Sequence, residues 1–238
     1  MTPLRVEFCG EWFDVVDEFF IGRDADLSID ENPYLHRRFL AIRHEFDLWW
    51  LHNVGQLLTA TVSDIGGSVQ AWLSPGAKLP IVFPELQVVF TAGSTTYDFS
   101  IHSAGDHFRT SPLGGAAGGA TTIAPMIFTR TQRMLILALC EPFLRQARRG
   151  RAELPSSAQA AERLGWPTTT FNRKLDNVCE KLDKIGVDGL RGGAGKLAVN
   201  RRARLVEYAI ATHLVGLDDL PLLDDDVAIE SAVGDAQS

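Results

Sequence analysis

Polar side chains that can form hydrogen bonds recur between residues 168 and 181. Apolar residues spaced 4, 3, 4 and 3 positions apart predict one amphipathic helix, with its buried stripe at Phe171, Leu175, Val178, Leu182 and Ile185. The opposite face carries hydroxyl, amide and basic side chains, at Thr169, Thr170, Asn172, Arg173, Lys174, Asn177 and Lys181. Asn and Arg can pair bidentately with base edges, and hydroxyl and ammonium groups can contact phosphates. The chemistry expected of this face is contact with a polyanion.

The charge is segregated along the chain in a way that fits this chemistry. Residues 130–213 contain 16 Lys/Arg and 8 Asp/Glu, whereas residues 1–129 contain 7 and 15, and residues 214–238 contain no base and 7 acids. The net charge of −7 therefore hides a basic block between two acidic ones. This block can bind a polyanion; the alternative is a solvated helical surface.

Residues 157–186 resemble the helix-turn-helix of bacterial transcription regulators. A first helix begins near Ser156, a turn follows at Gly165-Trp166-Pro167, and Thr168 caps the second helix. The resemblance implies a recognition helix whose amino end reaches DNA bases, and a wing made of strands 187–191 and 196–199, followed by a helix capped by Asn200. The DNA-binding residues expected are Thr169, Thr170, Asn172, Arg173, Lys174, Asn177, Arg191 and Lys196. The alternative is an ordinary helical hairpin with a polar face.

The first hundred residues have a different pattern. Short runs rich in β-branched and aromatic residues alternate with Gly, Pro, Asn and Asp, about every eight to twelve residues, which is typical of an antiparallel sandwich. The fold predicted is multidomain: an all-β sandwich followed by a mainly α winged helix-turn-helix domain. The limits expected are 1–102 for the sandwich, 103–122 for a flexible Gly-rich linker, 123–216 for the winged domain and 217–238 for an acidic tail.

Residues 4 to about 102 resemble a forkhead-associated (FHA) domain. The resemblance is carried by Ile21-Gly22-Arg23, by the Asp-rich run through Leu27 and Ile29, and by Asn32-Pro33. It continues in the segments Leu35-His36-Arg37-Arg38, Phe39–Ile42, Trp49-Trp50-Leu51 and Asn53-Val54-Gly55. It implies an FHA-like sandwich whose loops bind phosphothreonine, since guanidinium groups present a fork of donors to phosphate. The phosphopeptide-binding residues implied are Arg23, His36, Arg37, Arg38 and Asn53.

Three departures from the family pattern affect this prediction. His36 occupies the position of the phosphate-binding Ser, Phe39 that of the structural His, and Gln56-Leu57-Leu58-Thr59 replaces Ser-x-Asn-Gly. His36 can still donate a hydrogen bond to phosphate, whereas Leu58 cannot replace an amide. The alternatives are therefore an FHA-like fold that binds a protein without phosphate, or one that supports dimerisation.

No pattern indicates an enzyme or a cofactor. The six histidines are scattered, no nucleophile elbow is present, and Gly192–Lys196 lacks the first Gly and the Ser/Thr of a phosphate-binding P-loop. Three distant cysteines and an acidic, interrupted amino terminus favour a cytoplasmic protein with no membrane partner. The function predicted is a DNA-binding transcription regulator. The partners expected are duplex DNA, a phosphothreonine-containing or unmodified protein, and a second copy of the chain in a homodimer. The alternative is an interaction adaptor that does not bind DNA.

Overall fold

The computed structural model describes residues 3–67, 69–104, 128–146, 150–187, 189–190 and 198–224. Short strands fill the part before residue 104. Their bounds are β1 Leu4–Phe8, β2 Glu11–Val15, β3 Phe19–Gly22, β4 Leu27–Ser28, β5 Leu40–Glu45, β6 Leu48–Asn53, β7 Ala60–Asp64, β8 Gln70–Leu73, β9 Lys78–Pro80, β10 Glu85–Ala92 and β11 Thr95–Ser103.

These strands form two sheets around one core. The first has the order β2-β1-β11-β10-β7-β8 and the second β4-β3-β5-β6-β9, and every pair except the parallel β3–β4 is antiparallel. Alternate residues of β11 point inward, so Tyr97, Phe99 and Ile101 are buried. Across the core, the rings of Phe39 and Phe90 lie 4.8 Å apart between centroids. The predicted β-sandwich is confirmed.

The C-terminal part is helical, as predicted. Its helices are α1 Arg130–Arg145, α2 Ser157–Arg163, α3 Thr168–Lys184 and α4 Ala198–Ala211, with a 3-10 turn at Leu217–Asp219. Capping boxes at Thr129 and Ser156 begin α1 and α2. Four residues of the predicted stripe in α3 are buried, whereas Ile185 lies past the helix end and is 47% exposed. In the described residues, no helix is both long enough and apolar enough to span a bilayer.

The wing predicted after α3 differs from the structure at both of its strands. Ala198 and Val199 belong to the first turn of α4, so this helix begins before the predicted cap at Asn200. Val187 and Leu190 are not in a strand, and both are buried in the helical core. A helical run rich in Ala, Arg and Leu is favoured from residue 198 onward. The predicted tip, including Arg191 and Lys196, lies outside the described residues.

A short strand joins the helical part to the sandwich. β12, Arg151–Glu153, pairs antiparallel with the first half of β11, with Tyr97 opposite Arg151 and Thr95 opposite Glu153. It lies on the same side of β11 as β1, which pairs with the second half of that strand. The two predicted domains therefore share one sheet. Their predicted limits stay a prediction, and most of the predicted linker lies outside the described residues.

Helix α4 adds a second contact between the two parts. It packs on β7 and β10, and Val89 of β10 belongs to the helical core. At this contact the Arg204 guanidinium donates to Glu207 over 2.7 Å and to Thr61 of β7 over 3.1 Å. Glu207 and Thr61 are buried. The helical part is therefore docked on the sandwich through both a strand and a helix.

The start of the predicted acidic tail is packed on the helices. Leu220 and Leu223 are buried in the helical core. Arg133 donates to Asp219 over 2.9 Å, and Arg163 donates to Asp224 over 2.6 Å. Residues 217–224 therefore belong to the folded part, and residues 225–238 lie outside the described residues.

Candidate functional site

Three loops meet at one end of the sandwich and carry the predicted phosphate-binding residues. The first follows β3, the second precedes β5 and the third follows β6. The backbone N–H groups of Arg23 and Asp24 donate to the carbonyls of His36 and Arg37, over 2.9 and 3.0 Å. The N–H of Gly55 donates to the carbonyl of Phe39 over 3.0 Å. These bonds place Arg23, His36 and Arg37 in neighbouring backbone segments.

Gly22 is required for the close approach of the first two loops. A Cβ atom at this position would lie 2.2 Å from the carbonyl oxygen of Arg37 and 2.8 Å from that of His36. Neither atom is the end of a flexible side chain, so any larger residue would force the loops apart. Gly22 therefore determines the spacing between Arg23 and Arg37.

Arg23 and Arg37 are the basic side chains best placed to bind an anion. Arg37 is exposed and Arg23 is partly exposed. Within the described ranges, neither guanidinium group takes part in a hydrogen bond or an ion pair. Two unpaired forks of donors on adjoining loops can bind the oxygens of a phosphate group.

His36 has a different role from the predicted one. Its Nε2 accepts a hydrogen bond of 3.1 Å from the backbone N–H of Gln56, and its ring stacks on Phe39 with centroids 6.1 Å apart. Its Nδ1 is buried and faces Gly55, 3.2 Å from where a Cβ of that residue would lie. His36 therefore ties the second loop to the third, and neither ring nitrogen is free to donate to a phosphate at the surface.

Asn53 is also a structural residue, contrary to the prediction. It is 1% exposed, and its amide donates to the carbonyls of Leu58 and Leu73 over 2.8 and 2.7 Å. Its Oδ1 accepts from the N–H of Gly55 over 3.0 Å. The hydrogen-bonding atoms of this side chain are used inside the fold, so Asn53 shapes the third loop and does not reach a peptide.

Arg38 lies apart from the other two arginines. Its guanidinium lies over the ring of Phe20, 4.2 Å from the centroid, on the outer face of the second sheet. It lines a cleft with three acidic residues, Glu18, Asp24 and Asp26. Arg38 is exposed, but its contact with Phe20 and the acidic residues of the cleft make it a less favourable phosphate ligand than Arg37, and its predicted role stays a prediction.

A further group of residues positions the second loop and was missed by the sequence reasoning. The Tyr97 hydroxyl donates to Asp30 over 2.8 Å and accepts from Asn32 over 2.9 Å. Burial raises the pKa of Tyr97, so its hydroxyl keeps the proton that it donates. The Asn32-Pro33 turn is visible in the sequence, but Tyr97 is more than sixty residues away and no local signal links the two.

The predicted DNA-binding face of α3 forms a second candidate site. Thr169, Arg173 and Asn177 are exposed, and Thr170, Asn172 and Lys174 are partly exposed. The half from Thr168 to Leu175 contains two basic residues and no acid. The helix as a whole is less basic, with four basic and three acidic side chains. The six predicted residues of α3 are therefore exposed or partly exposed, and the amino-terminal half of this helix is basic.

Other contacts limit the basic surface around α3. Asp176 pairs with Arg201 of α4, and Lys181 donates to Gln132 of α1 over 2.8 Å. Lys174 lies over the ring of Trp166, 5.4 Å from its centroid. Arg173 is thus the most accessible basic group at the amino end of this helix.

Neither metal ligation nor thiol chemistry is indicated in the part that the structure describes. It contains no cluster of three or more His, Cys, Asp or Glu residues able to hold a metal ion. Cys140 and Cys179 are buried, whereas Cys9 is exposed. Burial raises the pKa of Cys179 to about 11 and that of Cys140 further, so both remain thiols at neutral pH.

Comparisons with known proteins give two structural matches. No family model matches the sequence, and no curated protein matches it. The FHA-1 domain of a Mycobacterium tuberculosis protein is 16% identical, with a TM-score of 0.32, and the match covers 43% of this chain and 96% of that one. The FHA domain of an Arabidopsis thaliana hypothetical protein is also 16% identical, with a TM-score of 0.32, and the match covers 48% and 92%. Both matches are to FHA domains.

Proposed function

We propose that this protein binds a phosphorylated segment of a partner protein through Arg23 and Arg37. The observation that carries the proposal is that two guanidinium groups, unpaired in the described part of the chain, lie on loops that are hydrogen-bonded to each other. A phosphate dianion offers three acceptor oxygens, and charge-assisted hydrogen bonds to it are short and strong. The FHA resemblance favours phosphothreonine as the modified residue.

The loops compensate in part for the missing family residues. His36 connects the second loop to the third through Gln56, and Asn53 holds the third loop through Gly55. The loop geometry therefore depends on these internal bonds, while the ligand contacts come from the arginines. We expect a site that is selective for phosphate and makes few contacts to the peptide backbone.

The test is a titration with matched phosphorylated and unmodified threonine peptides. Hydrogen bonds to a charged group contribute about 1.5–3 kcal/mol, so Arg37→Ala should weaken binding of the phosphopeptide about 10- to 100-fold. Arg38→Ala is the matched control, because the adjacent side chain lies over Phe20, and it should change the affinity less than about threefold. Equal affinity for the two peptides would refute phosphate recognition and favour binding of an unmodified protein.

A second candidate function is binding of duplex DNA through α3. The observation that favours it is the exposed amino end of this helix, where Arg173 is accessible beside threonine and asparagine side chains. Such a helix end is what reaches base edges in helix-turn-helix proteins. On this proposal the protein is a transcription regulator; the alternative remains an adaptor that uses the same surface for protein contacts.

A salt series on duplex DNA separates these two alternatives. If about five phosphates are neutralised, log affinity should fall with log salt at a slope near −4 to −5. Arg173→Ala should reduce the preference among DNA sequences by about 1–3 kcal/mol. Lys184→Ala, at the other end of the helix and paired with Glu180, is the control and should leave sequence preference unchanged. An adaptor would show no duplex binding at any salt concentration.

A further inference from the structure

Asp30 connects the loop that carries Arg37 to the rest of the molecule. It stands at the start of the second loop, seven residues before Arg37. Its Oδ2 accepts from the Tyr97 hydroxyl over 2.8 Å, and its Oδ1 accepts from the N–H of Glu31 over 2.8 Å. The same Oδ1 lies 3.2 Å from the Arg151 guanidinium. One carboxylate therefore contacts the loop, β11 and β12.

The second loop is held on β11 by Tyr97, at the place where β12 pairs with that strand. Tyr97 is fully buried and lies opposite Arg151 in the register of the two strands. Asn32 donates to the Tyr97 hydroxyl over 2.9 Å and to the carbonyl of Ala92 over 3.0 Å. A change in the position of the second loop therefore moves Asp30 relative to Arg151 of β12.

β12 in turn leads directly into the helical part. Ala152 and Leu154 are buried in the helical core, and the N–H of Leu154 donates to the carbonyl of Ser94 over 2.7 Å. Ser156 caps α2 two residues later. Whether the backbone of β12 is ordered therefore affects both the sheet and the start of the α2–α3 hairpin.

We propose that the Asp30–Arg151 ion pair couples the phosphate-binding loops to β12 and the helical part. The inference rests on the proposed function for its ligand, but the link itself is a property of the free protein. Binding at Arg37 that orders the second loop then orders β12, and by thermodynamic linkage an ordered β12 strengthens binding by the same factor. Binding of a phosphorylated partner at this site would in this way change the order of β12 and of the helices that follow it.

The ion pair is partly exposed to solvent. The Arg151 side chain is 57% exposed and that of Asp30 is 23% exposed. Pairs of this kind contribute little free energy because solvent screens them, so the expected coupling is about two- to fivefold. A coupling of this size modulates binding without being needed for folding.

Hydrogen–deuterium exchange of the full chain tests the link without any ligand. The reporters are the amide of Leu35 in the loop, which donates to the carbonyl of Asn32, and the amide of Leu154 after β12. Arg151→Ala should speed exchange at Leu35 about two- to fivefold. Asp30→Asn, which keeps an acceptor for Tyr97, should speed exchange at Leu154 to the same extent. The control is Glu153→Ala, an exposed residue of the same strand, which should leave Leu35 unchanged.

A second arm adds phosphothreonine as the probe. In the unmodified chain it should slow exchange at both Leu35 and Leu154, and in Arg151→Ala at Leu35 alone. If phosphothreonine protects Leu35 but not Leu154 in the unmodified chain, the coupling is refuted and the proposed function stands. If it protects neither while Arg151→Ala still speeds exchange at Leu35, the link is supported and the proposed function fails. No difference between Arg151→Ala and Glu153→Ala would overturn the link.

Discussion

The polar contact between α4 and the sandwich offers a sharp test of how the two parts are joined. Glu207 is 4% exposed and accepts from Arg204 over 2.7 Å and from the Thr61 hydroxyl over 3.3 Å. The Arg204 side chain is 14% exposed, and its guanidinium lies 5.7 Å from the centre of the Trp72 ring. Glu207→Ala removes the carboxylate from a guanidinium that is mostly buried and that also donates to Thr61.

The expected loss of stability follows from this burial. Removing one partner of a buried ion pair costs about 3–5 kcal/mol when the charge that remains is uncompensated. The lower value applies here, since Arg204 keeps Thr61 and some contact with water, so we expect a loss of about 3 kcal/mol. Glu207→Gln keeps an acceptor and should cost about 1–2 kcal/mol. Replacing both partners with Leu should recover most of the loss, because no charge is then buried.

Urea unfolding at pH 7 measures these effects. With a slope of roughly 3 kcal/mol per molar urea, Glu207→Ala should lower the midpoint by about 1 M. Circular dichroism follows the helices, and tryptophan fluorescence follows mainly the sandwich, which contains four of the five tryptophans. The two transitions should coincide because the parts share a sheet and a core contact. A loss below about 1 kcal/mol, or separate transitions in the unmodified chain, would refute the reasoning.

Three further predictions concern the sandwich. Burial raises the pKa of Asp98 to about 6. The stabilising contribution of the protonated carboxyl is therefore complete below about pH 4 and is lost as the pH rises through 6. In Asp98→Asn, the fall in unfolding free energy between pH 5 and 7 should be smaller by about 1 kcal/mol. Gly22→Ala should cost about 1–3 kcal/mol and abolish phosphopeptide binding in a titration, because the added methyl group meets the Arg37 carbonyl. Asn53→Ala should cost about 2–3 kcal/mol in urea unfolding, since it removes the side-chain donor from the carbonyls of Leu58 and Leu73, while the Gly55 N–H keeps its bond to Phe39.

Matched substitutions control each of these three predictions. Asp14→Asn, on an exposed position of β2, should leave the pH dependence unchanged. Gly216→Ala should be nearly neutral, because nothing lies within 4 Å of the added Cβ. Asn177→Ala, on the exposed face of α3, should change stability by less than about 0.5 kcal/mol. A buried-site variant that behaves like its control would show that the assigned contact contributes nothing.

The sequence determined the local structure of this protein because periodicity decides which face of an element is apolar. Alternation of β-branched and aromatic residues predicted the sandwich, and the 4-3-4-3 spacing predicted the buried stripe of α3. The Ser156 cap and the turn before Thr168 were also visible, since capping and turn formation depend on residues a few positions apart. The second strand of the predicted wing was wrong at Ala198 and Val199, because glycines in the sequence suggest a hairpin, whereas these two residues begin the helical run of α4.

Tertiary structure alone decided which of these residues are available to a ligand. Arg37 and Arg38 look equivalent in the sequence and both are exposed, but the guanidinium of Arg38 lies over the ring of Phe20. Asn53 and His36 looked like ligand contacts, yet the fold uses both to hold loops together. The joining of the helices to the sandwich was equally hidden, since it depends on pairs such as Tyr97 with Arg151. A local pattern determines the direction of a side chain relative to its own element, while its partners come from segments that folding brings together.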